Sequence, residues 1–444
     1  MKQSTVASII LIVIAVLGWG SMILMPQNAA TREYNNYINT AKDYYSRGLY
    51  QKSIEQYDMA LQLNNNPDAW NQKLDAYDRL YEENDTVYSD FLSAAQTAYA
   101  FYPDNKDFLI RLCELYVSKD DYKAAYKTLD RAIQNGITND TIEEMLFTTK
   151  YAFKLRWATY DDYIGGFDKG YGVVSSERWS YIKNTGETTK FPSLLFAGPI
   201  GANDVRVVTD ANRSYLIDAD MVIQGILDFT PTDAGYFSED LVPIKNGDHY
   251  GYYDILGDYQ FGDYEEAGSF HNGTAAVKSN GSWYIIDNKG DSAGGSYEEI
   301  VLYPDGSYIN NGVMIVKENG KYHIYNNDED VGEFVQIGIP TKDGLIAAYE
   351  NNRWGFVDTN GHFVIEPQFV EARSFSNGLA AVFDGTSWGF INTDGELAID
   401  YQFDDVGYFD NFGNCMINTE MEDSYSSDGT IRHVWKLLNM YNWL

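Results

Sequence analysis

Three hydrophobic periods follow one another along this chain. Residues Val6 to Met25 carry no charge and form one predominantly apolar stretch. From about Thr31 to Lys154, apolar residues return every three or four positions. Tyr37, Ala41 and Tyr44 are followed by Tyr57 and Ala60, then by Trp70, Leu74 and Tyr77. Leu109, Cys113 and Tyr116 continue the pattern, with Ala125, Leu129 and Ala132 after them. This is the spacing of a buried stripe on an α-helix. Beyond about residue 170 the pattern shortens to brief apolar runs such as Gly273-Thr274-Ala275-Ala276-Val277 and Gly378-Leu379-Ala380-Ala381-Val382. Each is followed by a second run, mostly aromatic-led, and many of these end in a turn such as Asp287-Asn288-Lys289-Gly290 or Asp358-Thr359-Asn360-Gly361. Such pairs predict β-hairpins whose glycine takes the left-handed position of the turn.

The leading position of the second run recurs at Trp179, Ser214, Tyr250, Trp283, Tyr322, Trp354 and Trp388, a period of about 35 residues. An eighth hairpin is expected from Gly413 to Ile417 with Val434 to Leu438, across an acidic insertion containing Glu420, Glu422 and Asp423. Units of this size cannot bury an apolar face alone, so copies must stack. Three or four strands per unit suit a closed radial array, which leaves only short, protected edges. The expected fold of this half is a β-propeller of seven or eight small blades, with an open β-solenoid as the alternative. At Trp354-Gly355 and Trp388-Gly389 the glycine leaves a gap on the sheet, and an aromatic ring is expected to lie over it. Both tryptophans are expected to pack between blades.

The block running from Trp354-Gly355-Phe356-Val357-Asp358 through Gly361 and Ile365-Glu366-Pro367-Gln368-Phe369 to Phe375-Ser376-Asn377-Gly378-Leu379-Ala380-Ala381-Val382 resembles the WG repeat. This is a bacterial tandem repeat named for its Trp-Gly pair. The resemblance covers roughly residues 165 to 444 and implies architecture without catalytic residues. The helical segment is similar to the tetratricopeptide repeat. Gly48, Tyr50, Ser53, Tyr57, Ala60 and Pro67 carry the first unit, Trp70 to Pro103 the second, and Leu109 to Ala132 the third. The second unit holds extra residues around Glu82-Glu83-Asn84-Asp85, and a helix from Thr141 to Lys154 is expected to cap the stack. Ala60 and Ala132 stand where two helices would cross closely. The resemblance implies a groove lined by the first helix of each unit. It would place Asn35, Lys42, Asn71, Asp75, Arg79 and Glu114 there, facing a peptide or partner tail.

The expected organisation is a cytoplasmic N-terminus over 1–5, a transmembrane anchor over 6–25 and tetratricopeptide-like repeats over 31–154. A linker or first strand over 155–169 and the WG-repeat domain over 170–444 follow. The span Val6–Met25 is long enough for a hydrocarbon core of roughly 30 Å. Lys2 precedes it and Arg32 and Glu33 follow it, so the positive-inside rule places the bulk of the chain outside the cytoplasm. The alternative is a signal peptide cleaved at Asn28-Ala29-Ala30, giving a secreted protein.

Charge narrows the partners. Sixty-five acidic residues stand against 32 basic ones, for a net charge of −33. This field opposes nucleic acid and anionic lipid. It serves solubility first, and basic partners second. The two cysteines, Cys113 and Cys415, read as buried thiols rather than a disulfide. The five histidines fall in separate repeats, so no zinc site is indicated. No nucleophile elbow, Walker loop or dinucleotide fingerprint appears. No catalytic residue, metal or cofactor is therefore expected. Asp218-Ala219-Asp220 and Asn326-Asn327-Asp328-Glu329-Asp330 are rich in oxygen ligands but match no complete calcium loop. The expected function is a scaffold binding protein or peptide partners through both arrays. A carbohydrate or cell-wall glycan binder using Tyr and Trp platforms is the alternative. A propeller hydrolase is the third reading, and it requires convergent carboxylates or a Tyr/Glu pair in the central channel.

Overall fold

The computed structural model describes residues 27–168, 171–189, 193–218, 220–422 and 431–442. The chain divides into two compact units after Lys150. The expected N-terminus over 1–5 and anchor over 6–25 lie outside the described residues. Among the described residues, no helix is long and apolar enough to cross a membrane.

The helical unit contains α1 (Gln27–Ser46), α2 (Tyr50–Leu63), α3 (Pro67–Glu83), α4 (Tyr88–Phe101), α5 (Lys106–Val117), α6 (Tyr122–Gln134) and α7 (Asp140–Lys150). Local sequence sets these ends. Gly48 turns the chain between α1 and α2 at a φ of 72°, a conformation that costs glycine little. Pro67 opens α3, and the Asn66 side chain accepts the Asp68 and Ala69 N–H groups, which satisfies two otherwise orphaned donors. Asn105 caps α5 in the same way. The extra residues of the second unit extend α3 to Glu83 and form a short 3-10 turn, Asp85–Val87. Leu74, Phe91, Ala95 and Phe108 form one core cluster. Leu109, Cys113, Ala125, Leu129 and Ala132 form the next. Ala60 and Ala132 are both buried. The Cys113 thiol is free and buried, and burial pushes it up to about 12.

The β unit holds eight antiparallel sheets among the described residues. The sixth is representative, with a two-residue strand, Gln336–Ile337, then Ile346–Glu350, Arg353–Val357 and Phe363–Phe369 in order. The blades span 162–183, 196–227, 233–264, 266–297, 299–334, 336–369 and 371–403. The eighth takes Asp405–Val406, Asn414–Glu422 and Ile431–Met440 from the end of the chain. Its outermost strand is Phe153–Tyr160, which pairs antiparallel with Ile431–Met440 and sets Phe153 opposite Met440. The stretch 155–169 is therefore shared between this closing strand and the first strand of the first blade, Asp162–Asp168.

Every neighbouring pair of blades shares a hydrophobic cluster, the eighth with the first included. Alternation along each strand produces this. Ala347 and Phe356 of the sixth blade pack on Phe375, Ala380 and Val382 of the seventh. Ile346, Ala348 and Val357 face the fifth blade's Ile315 and Ile324. At the closing seam Met416 and Leu437 pack on Val174 and Ile182. The array is thus an eight-bladed β-propeller, and the solenoid alternative does not describe it.

The Trp-Gly pairs work differently from expectation. A Cβ on Gly355 would meet Ile365 O at 2.6 Å and Pro367 N at 2.7 Å. One on Gly389 would meet Ile399 O at 2.8 Å and Tyr401 N at 3.0 Å. The gap is filled by the bulged backbone of the fourth strand, where the register slips between Trp354 and Phe356 and between Trp388 and Phe390. A ring takes that place at Gly251, where Tyr259 would lie 2.9 Å from an added Cβ. Trp388 is buried in the cluster shared with the eighth blade, and the Arg373 guanidinium lies 4.7 Å above its ring. Trp354 is half-buried, 5.5 Å from the Tyr349 ring.

The aspartates of the turns serve the backbone. Asp358 Oδ1 accepts the N–H groups of Asn360 and His362 at 2.8 and 3.0 Å. Asp254 and Asp287 repeat the pattern. Asp218 does likewise with Asp220 and Val222, while its second oxygen accepts from Gln224 at 2.6 Å. The oxygens that made Asp218 a calcium candidate are therefore already turn acceptors.

Candidate functional site

Two surfaces collect chemistry, one in each unit. On α3, Asn71, Asp75, Asp78 and Glu82 follow i, i+4, i+7 and i+11 spacing and so share one face. Arg111 on α5 reaches across to this face, with one guanidinium nitrogen 2.8 Å from Asp75 and another 2.8 Å from Asp78. Glu114 is exposed one turn along α5. Burial raises the Asp78 carboxyl above its ordinary range, Arg111 opposes this, and Asp75, Glu114 and Glu82 reinforce it.

The structure thus brings Asp75 and Glu114 into one electrostatic cluster. Arg79 is exposed and pairs with Glu82 at 2.9 Å. Asn71 is half-buried on the same face, whereas Asn35 and Lys42 are exposed on α1 and do not join the Arg111 cluster. Sequence reading missed Asp78 and Arg111. Both were signalled by helical periodicity, since Asp78 lies one turn from Asp75 and Arg111 one turn before Glu114.

The second surface lies on the ring axis. In an up-and-down blade, the loop after the first strand and the turn after the third share one face of the ring. The loops there repeat a small residue, a variable residue and a buried one: Gly235-Tyr236-Phe237, Gly268-Ser269-Phe270 and Gly407-Tyr408-Phe409. Close packing explains all three glycines, a Cβ on Gly268 meeting Gly306 O at 2.6 Å. A Cβ on Gly235 would meet Pro243 at 2.7 Å, and one on Gly407 would meet the Tyr163 hydroxyl at 2.9 Å. Neighbouring loops are tied together by hydrogen bonds. Tyr236 N–H donates to Ser269 Oγ at 3.0 Å and Ser376 Oγ–H to Phe409 O at 2.7 Å. Thr341 Oγ1–H donates to Phe375 O.

This frame encloses a cavity of about 580 Å³. Its walls include Tyr163, Tyr236, Tyr303 and Tyr408 with Leu302 and Ile339, and its polar groups include Asp305, Lys342, Asp343 and Asn377. A smaller cavity of about 210 Å³ shares Tyr236, Asp305 and Lys342 and adds Ile200, Phe270 and His271. The fifth, sixth and eighth blades contribute equally to the lining, and the fifth does so through an unusually long loop. Its loop runs from Val301 to Gly312, against Arg373 to Gly378 in the seventh blade, and so carries Leu302 to Asp305 to the axis.

The carboxylates of the cavity are anchored. Asp305 Oδ1 accepts Ser307 Oγ–H at 2.6 Å and Ser307 N–H at 3.1 Å. Burial opposes its ionisation, but these bonds and Lys342 outweigh burial and hold it below the ordinary carboxylate range. Asp343 accepts Gly378 N–H at 2.6 Å. Asp410 accepts Phe412 N–H and Asn414 N–H, each at 2.8 Å. The arrangement offers recognition by aromatic walls and fixed acceptors.

Among the described residues, one trio has metal-ligand proximity: Asp404, Glu420 and His433, all exposed. The His433 Nδ1 to Asp404 distance is 3.0 Å, the geometry of an exposed ion pair.

Three segments, 250–283, 354–385 and 388–417, match the WG containing repeat. Among curated proteins no match is found. Several solved structures are similar at low identity. A KlHsv2 variant with loop 6CD replaced by a Gly-Ser linker is 9% identical, with a TM-score of 0.34 over 65% of this chain and 100% of that one. The Sgt2 TPR domain from Aspergillus fumigatus is 22% identical, with a TM-score of 0.22 over 27% of this chain and 77% of that one. The first TPR of Spaghetti (RPAP3), bound to an HSP90 peptide, is 17% identical, with a TM-score of 0.22 over 27% and 90%. Likenesses at this distance carry no functional argument. The chain therefore carries WG repeats within an eight-bladed ring, beside a unit of paired helices that resembles the tetratricopeptide repeat.

Proposed function

We propose that this protein is a non-enzymatic, membrane-anchored scaffold outside the cytoplasm, whose helical unit binds a basic segment of a partner protein. The observation that carries this reading is the bridge from Arg111 to Asp75 and Asp78. It builds a charged, partly desolvated cluster on the face expected to line the groove. The cluster holds more acids than bases, so a basic segment complements it better than an acidic one. The uncharged span Val6–Met25, with Lys2 before it, supports an anchor that keeps both repeat arrays on the outer side.

The test is crosslinking and affinity capture of the full-length protein from its native membrane, beside an Asp75→Ala/Arg111→Ala variant. The expected result is a reproducible protein partner that the variant loses. Equal capture by both proteins would remove the groove from the account. Retention on cell-wall polysaccharide, with no protein captured, would favour the glycan reading, for which the tyrosine-lined axial cavity is the one supporting observation. Release of the protein by alkaline carbonate, without detergent, would contradict the anchor.

A further inference from the structure

We propose that the axial cavity of the ring is a second recognition site, which takes one arginine or lysine side chain from an extended protein segment. The cavity volume, about 580 Å³, is in the range of small-ligand sites and far below that of a folded domain. Its walls suit a long cationic side chain. Leu302 and Ile339 can cover an aliphatic stem, and Tyr163, Tyr236 and Tyr408 line the cavity with aromatic rings, a residue type that attracts cations. Asp305 and Asp343 supply carboxylates at the mouth. The net charge of −33 raises the local concentration of cations and opposes phosphates and acidic peptides.

The site is also built rather than incidental. The fifth blade departs from the repeat by its long 301–312 loop, and this departure delivers Leu302 and Asp305 to the axis. The loop is fixed from within. Gly306 N–H donates to Tyr303 O at 2.9 Å, and Ser269 N–H of the fourth blade donates to Gly306 O at 2.8 Å. Asp305 is held by Ser307, so little ordering remains to be done on binding.

Lys342 fits the same scheme. Its ammonium lies 3.6 Å from Asp305, and its side chain is 73% exposed. It therefore stands as a loosely held internal cation beside the carboxylate that a ligand cation would use, and can swing into solvent when displaced. This makes the sign of its substitution diagnostic.

The experiment uses the full-length protein in nanodiscs and a blocked glycine–serine heptapeptide with one central arginine, titrated by calorimetry beside its citrulline counterpart. The arginine peptide is expected to bind about tenfold more tightly than the citrulline peptide, since the two differ in charge and hardly in shape. Asp305→Asn should weaken the arginine peptide by about tenfold, and Lys342→Met should tighten it severalfold. Any binding that Asp75→Ala/Arg111→Ala removes and Asp305→Asn leaves intact belongs to the helical groove, whereas the cavity component should survive the groove variant, so failure here is distinguishable from failure of the groove. Equal affinity for the two peptides, weakening by Lys342→Met, or loss of binding in the groove variant would each overturn the proposal. So would saturable binding of chitotriose without peptide binding. Lys342 is exposed, so its substitution tests the site even if Asp305→Asn fails to fold.

Discussion

The two units solve the same problem, stacking repeats too small to fold alone, with opposite connectivity. In the helical unit each helix packs on its sequence neighbours, and the stack has two ends. In the ring, the last blade is completed by Phe153–Tyr160, the strand that precedes the first blade. A helical stack can lose an end repeat and keep the rest. A ring that loses its closing strand exposes the edge of its last blade and the core of its seam. The units also use acids differently. The α3–α5 face gathers Asp75 and Asp78 around a cation, whereas turn aspartates such as Asp358 bind backbone N–H groups.

The comparison is broken most forcefully at the seam. Leu437 is fully buried there, and Leu437→Asp would leave an unpaired charge in an apolar cluster. The expected cost is on the order of 3–5 kcal/mol, read by calorimetry as loss of the ring transition. Leu74→Ala, at an equally buried helical position, should cost about 3 kcal/mol. Amide exchange should then quicken in α3 and the helices beside it while the blades stay protected. Exchange rising in every blade would contradict a division of the two units at Lys150.

Within the ring, Gly355→Ala places a methyl group against fourth-strand backbone and should cost about 2 kcal/mol. Gly320→Ala, at a φ of 78° with open space around it, should cost about 1 kcal/mol, measured by denaturant midpoints. Equal costs would mean that the bulge over Gly355 yields freely.

The smallest effect is on pH dependence, with opposite signs in the two units. Burial alone would raise the Asp358 carboxyl, but the N–H groups of His362 and Asn360 outweigh it and lower it below 3.8. Its stabilisation is present above 3.8 and is lost as pH falls through the lower folded value. Asp78 is raised, so its contribution is greatest at low pH and declines as pH rises through its folded value. Asp358→Asn should therefore flatten the pH dependence of the ring's midpoint below pH 3.8, by well under 1 kcal/mol. An unchanged slope would mean that this carboxylate keeps its ordinary value in the fold.

Periodic features were legible in the sequence because local pattern encodes them. The hairpin positions from Trp179 to Trp388 each begin the third strand of a blade or lie within its first two residues, and the eighth hairpin pairs Cys415 with Leu438. Non-local pairing was not legible. Phe153 and Leu155 alternate with Lys154 and Arg156, yet nothing nearby marks Ile431–Met440 as their partner. The filling of the Gly355 gap depends on a bulge around Pro367, which composition does not announce. In the helical unit, repeat offsets selected Asp75 and Glu114, which fall in one charge cluster, whereas the Arg111 bridge crosses helices. The axial cavity had one visible signal, the long interval from Trp283 to Tyr322, which is the inserted loop of the fifth blade.

Closure of the ring is most directly tested by amide hydrogen exchange of the full-length protein, followed peptide by peptide. Residues Phe153–Tyr160 should be protected as strongly as Ile431–Met440, their partner strand. Exchange of Phe153–Tyr160 at the rate of the turns, with the eight blades still protected, would contradict closure by this strand.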